Sequence, residues 1–99
     1  MISKAERVRR KHERVLDSYR GYLAELTLAY KNHDDRKLAI EYGRLTAFTQ
    51  GVYALCEGGE YRYYRKHFDE IFIKWKEEHE ILITNHIIKR SNKLNEHQN

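Results

Sequence analysis

The sequence predicts an all-α fold, and three observations carry that reading. The chain of 99 residues has 0 Pro and only 5 Gly, so little in it breaks a helix. Its turn signals fall in two clusters, Asn32-His33-Asp34-Asp35 and Gly58-Gly59. Apolar residues recur at three-and-four spacing throughout, and no long stretch alternates as a strand does. The clusters divide the chain into helical segments over 3–31, 35–57 and 60–91. A polar tail over 92–99 is expected to be disordered, leaving one helical domain over 1–91.

Segment one aligns Val8, Val15, Tyr19, Tyr22, Leu23, Leu26 and Tyr30 on one face. Ser3 followed by Glu6 fits a capping box at its start. Segment two carries Leu38, Tyr42, Leu45, Thr49, Val52 and Cys56 as its stripe. Asp34 or Asp35 can cap it, and Gly58 can end it in the left-handed conformation. Segment three presents Tyr61, Tyr64, Phe68, Ile71, Phe72, Trp75, His79 and Leu82, a wide aromatic stripe. Short connections make neighbours antiparallel, so the expected architecture is an up-down-up three-helix bundle.

The segment lengths do not match. At ~1.5 Å per residue the second spans roughly 34 Å and the third roughly 48 Å. Helix one therefore overhangs with its basic N-terminus, and helix three overhangs from about residue 84. That second overhang carries Ile87 and Ile88, with Ile81 and Ile83 just before it. Uncovered apolar surface of this kind marks an interaction site. The outward face of helix two is Ile40, Gly43, Ala47, Gly51 and Ala54, and no charge occurs from Leu45 to Cys56. Small residues at helical spacing let two backbones approach closely. The bundle is accordingly expected to be completed by homodimerisation, with Ile40, Gly43, Ala47, Gly51, Ala54, Ile81, Ile87 and Ile88 at the interface.

Lys+Arg 19 against Asp+Glu 15 gives a net charge of +4. Residues 1–20 alone hold seven basic and three acidic residues, so the whole excess sits at that end. Arg7, Arg10, Lys11 and Arg14 share one flank of helix one. The up-down-up arrangement brings up the start of helix three, with Arg62, Arg65 and Lys66 among Tyr61, Tyr63 and Tyr64. Basic residues interleaved with aromatics suit an acidic protein surface, or phosphates and stacked bases. Arg7, Arg10, Lys11, Arg14, Arg62, Tyr63, Arg65 and Lys66 are the expected partner-binding residues.

Other chemistry is weakly supported. A helix-turn-helix turning at Gly43 would place residues 46–56 as a reading helix without Lys or Arg, too poor in donors and charge for DNA. The six His show no His-x3-His spacing, so neither metal nor cofactor is expected; His79 reads as a core-edge residue and the others as surface. Cys56 is single, which excludes an internal disulfide, and it lies near a helix C-terminus, where a thiolate is disfavoured. No glycine-rich phosphate loop occurs, and no catalytic constellation is expected. No apolar run reaches the roughly 20 residues of a membrane span, so the expected location is cytoplasmic.

The expected function is a small non-enzymatic helical protein that docks on a larger protein and regulates or inhibits it by steric occlusion. Phage and mobile-element regulators include chains of this kind, an analogy of type and not of sequence. The alternative is a basic regulatory protein that contacts nucleic-acid phosphates through helix one and the start of helix three.

Overall fold

The computed structural model describes the backbone of residues 1–98 and the side chains of residues 1–95. Four helices follow in order: α1 Lys4–Lys31, α2 Asp35–Ala54, α3 Glu60–Glu78 and α4 Glu80–Gln98. The molecule is elongated, 66 × 24 × 20 Å. The long helix α1 is its spine, packing against each of the other three. Helix α2 runs back along α1, and α3 then runs parallel to α1, as the short connections require. Stacking of Tyr19 on Phe68 and the 2.8 Å bond from Trp75 Nε1 to Thr27 Oγ1 fix the direction and register of α3.

The N-caps form where the sequence places them, although Glu6 turns its carboxylate to Arg9 and Arg10 and does not close a capping box on Ser3. Ser3 Oγ accepts from Glu6 N–H, and Asp34 Oδ1 accepts from Lys37 N–H at 3.0 Å. Each replaces a bond that the first turn of a helix lacks. After α1 the chain turns through a Schellman motif, with Asp34 N–H on the Ala29 carbonyl and His33 N–H on that of Tyr30. The left-handed position is His33, at φ 50°. Between α2 and α3 the left-handed residue is Gly58, at φ 57°. Helix α2 stops at Ala54, before the expected residue 57, and passes unbroken through Gly43. No turn exists there for a helix-turn-helix.

The third predicted helix is two helices. His79, at φ −117° and ψ 18°, separates α3 from α4. The Trp75 carbonyl accepts the His79 N–H at 3.1 Å, and the His79 ring nitrogen Nδ1 lies 2.8 Å from the same oxygen. Backbone bonding resumes only with Ile83 N–H on the His79 carbonyl. A side-chain bond to the carbonyl four residues earlier is a local contact that accompanies bends in helices. Periodicity could not show this joint, because the apolar stripe continues across it. The α4 backbone also stays helical to Gln98, where a disordered tail from residue 92 was expected; Asn99 lies outside the described residues.

The core is aromatic. Leu16, Tyr19, Leu23, Leu26, Ala29 and Tyr30 of α1 meet Leu38 and Leu45 of α2 and Tyr64, Phe68 and Trp75 of α3. Val8 and Tyr61, expected on the inward stripes, are exposed because they lie toward the end where the bundle thins. Two polar residues are buried instead, Glu41 and His86. Glu41 is covered by Arg44, 3.1 Å away on the same helix. His86, expected at the surface, holds α4 to the turn between α1 and α2.

Candidate interaction surfaces

The basic end is built on the first turns of α1. Glu60, at the start of α3, meets Lys11 at 3.2 Å and His12 at 3.1 Å. The His12 ring stacks on Tyr63, 4.5 Å between centroids, and stands edge-on to Tyr64. Residues 4–10 project beyond this contact. Hydrogen bonds from His12, the Glu57 backbone and Lys11 hold the Glu60 carboxyl below its ordinary pKa. The α3 start therefore comes alongside α1 as the sequence predicts, but only Lys11 of the eight named residues bridges the two helices by an ion pair.

The other seven occupy separate faces. Arg10 pairs with Glu6 on its own helix, at 3.3 Å. Arg7 and Arg14 make no ion pair among the described residues, and both are exposed. Arg62 and Lys66 are exposed on the side of α3 turned away from buried Tyr64 and Phe68, and Arg65 is exposed on the flank toward Tyr61. Arg65 reaches the Tyr61 hydroxyl at 3.4 Å. Tyr63 is half-buried between His12 and His67. Sequence reasoning missed the exposed apolar residues at this end, Val8 and Leu55, the latter 80% exposed where α2 stops.

Cys56 sits at the same end, its thiol donating to the Val52 carbonyl at 3.1 Å. Burial pushes the thiol pKa up, the Glu60 carboxylate adds to that, and Lys11 opposes it. This environment suits a packed thiol and not a nucleophile. The Tyr64 hydroxyl is buried and has no partner among the described residues.

On α2 the small-residue face is open. Ile40, Gly43, Ala47, Gly51 and Ala54 are all exposed, and a Cβ added at Gly43 or Gly51 would meet nothing within 4 Å. Neither glycine is required by packing within the chain.

The opposite end of the molecule is α4. At its root His86 is enclosed: Nε2 lies 2.8 Å from Asp35 Oδ1, Nδ1 lies 3.1 Å from His33 Nδ1, and Tyr30 stands edge-on to the ring. With His86 donating to Asp35, one of the two facing Nδ1 atoms must donate and the other accept. Lys89, Arg90 and Lys93 lie on this same side, around a cleft of about 180 Å³. The far side of α4 is uncovered. Ile81 is 78% exposed, Ile87 57%, Ile88 52% and Leu94 55%, whereas Ile83 packs against the core. His86 and His79 each have a ring nitrogen committed to a partner within the fold, and no group of three or more ligating side chains converges among the described residues.

Among the described residues, no helix is long and apolar enough to cross a membrane. No protein-family model, curated protein or solved structure matches the chain.

Proposed function

We propose that this chain is a cytoplasmic, non-enzymatic interaction module. It docks on a larger protein through its basic end and regulates or inhibits that protein by covering a working surface. One observation carries the reading: the first turns of α1 project past the rest of the bundle and present Arg7 unpaired among the described residues, Arg14 is likewise unpaired one turn beyond the contact with α3, and Val8 and Leu55 are exposed at the same end. Cations beside apolar side chains fit an acidic surface that also offers apolar contact, the combination from which interface anchors are built. The rigid aromatic core behind them holds the end in shape, which limits the ordering cost of docking.

A second reading keeps one observation in its favour. The chain's whole net charge lies in residues 1–20, which suits phosphates. The immobilised chain and its Arg7→Glu/Arg14→Glu variant separate the two. Docking on protein predicts capture of a specific acidic partner that survives moderate salt and is lost in the variant. Identical captured sets from both forms would refute it. Binding only to a DNA duplex, falling steeply with added salt, would move the function to nucleic acid.

A further inference from the structure

We propose that α4 pairs with α4 of a second copy, antiparallel, about a two-fold axis between Ile87 and Ile88. The proposal rests on the reading of the chain as an interaction protein and assigns the end that the basic surface leaves free.

The argument begins with how α4 divides its residues. Lys89, Arg90 and Lys93 share a side with His86, which faces the turn between α1 and α2. At about 100° per residue, the opposite side collects Ile81, Thr84, Ile87, Ile88, Ser91 and Leu94. All six are partly or largely open to solvent in the single chain. Charge enters this face only at the N-terminal end of the helix, where Glu80 stands in line with Ile87 and Ser91. Its first turn packs Leu82 and Ile83 on the core, but beyond it the helix is amphipathic in the reverse sense to a helix that covers its own bundle: its charged side is turned toward the fold and its uncharged side away.

The spacing then selects a second copy over a foreign partner. Reverse the helix about the midpoint between residues 87 and 88. Ile81 falls at the level of Leu94, Thr84 at that of Ser91, and Ile87 at that of Ile88. The apolar set maps onto itself, and the two hydroxyl residues map onto each other. A two-fold interface needs this property, because each contact from i to j is repeated from j to i. A heterologous partner imposes no such requirement. The small residues Thr84 and Ser91 lie in the middle of the face, so the two helices can approach closely with the isoleucines packed to either side.

Charge selects the antiparallel sense. A parallel pair would set Glu80 against its own copy and bring the two basic N-terminal ends to the same end of the assembly. The antiparallel pair places Glu80 at the level of Asn95 and separates the basic ends. It also opposes the two helix dipoles. Sterically the pair is open, because the seam lies on the side of α4 away from His86 and each bundle stays outside it.

The test uses the purified full chain, with mass measured by light scattering and sedimentation across a dilution series. Wild type is expected to move from 12.0 kDa to twice that mass as concentration rises. Thr84→Lys/Ser91→Lys faces like charges across the seam and should raise the dimer dissociation constant by at least about tenfold. Thr84→Lys/Ser91→Glu faces opposite charges only if the helices are antiparallel, and it should remain a dimer. Both sites are exposed, so circular dichroism should show both variants folded. A wild type that is monomeric at every concentration overturns the proposal. So does a Lys/Lys variant that dimerises like wild type, or a Lys/Glu variant that does not dimerise. Partner capture by the basic end is read separately, so a failed seam leaves that reading standing and the reverse also holds.

Discussion

Between Tyr19 and Trp75 the helices meet through rings and aliphatic chains, with Tyr19 stacked on Phe68 at 4.3 Å and Phe68 1% exposed. At the root of α4 they meet through a histidine, 5% exposed, held between a carboxylate and a second imidazole. The first contact gains free energy from the area removed from water and tolerates small shifts. The second depends on partners being present and correctly protonated, because a buried polar group left unpaired is costly. The comparison teaches that α1, α2 and α3 are bound together by apolar burial along their length, whereas α4 packs apolar side chains only in its first turn, through Leu82 and Ile83, and is held beyond it by the directed bonds of His86.

The largest expected effect is in the aromatic core. Phe68→Ala should cost about 3–5 kcal/mol in chemical denaturation, by lost transfer energy and a residual cavity. A loss below about 1 kcal/mol would deny Phe68 its central place. Alkaline pH probes the same core without mutation. Burial pushes the phenols of Tyr19 and Tyr64 up to about 12, with nearby acidic groups adding to the effect. A folded-state pKa above the unfolded value near 10 stabilises fully below that value. That stability should fall as pH rises from about 10 through 12, seen as tyrosinate absorbance that appears late and together with loss of helix. Early, uncoupled titration of all eight tyrosines would contradict it.

Smaller and more local, His86→Ala should cost about 1–3 kcal/mol, since it removes a buried ring and the hydrogen bonds by which that ring ties α4 to His33 and Asp35. Amide exchange should quicken in α4 while α1 to α3 keep their protection. Uniform acceleration across all four helices would erase the contrast between the two regions. The least effect belongs to the open face of α2. Gly51→Ala should stabilise by about 1 kcal/mol, because Ala is the better helix former and nothing stands in the way of its Cβ. If melting instead shows destabilisation, a second chain packs on that face.

Much of this architecture was legible in the sequence. Ser3, Asp34 and Gly58 announce their places because capping and left-handed turns favour few residue types. The overhang of α1 followed from helix length alone, whereas the expected overhang of one long third helix became a separate helix α4 beyond the joint at His79. What escaped was polar. The His79 joint carries neither Gly nor Pro, and what marks it is an imidazole that shares the Trp75 carbonyl with its own backbone N–H. Glu41 and His86 are buried through partners that no hydrophobic pattern encodes. His86 did leave a trace: it stands seven residues after His79 on the stripe of Phe72 and Trp75, a spacing that places it inward whatever its polarity. Of the basic surface, the sequence indicated the residues but not their division between faces, which depends on how α3 rotates against α1.

The joint at His79 has a mechanical consequence. Helix α4 is a beam roughly 28 Å long, carried at its base by the joint and propped by His86 about a third of the way out. Beyond the prop it is a cantilever. A rotation of ten degrees about the base would carry its tip through roughly 5 Å, the pitch of one helical turn. The prop resists that rotation with a short lever arm, so the directed bonds of His86 and the packing of Leu82 and Ile83, all within the first third of the helix, govern where the far end of the molecule points.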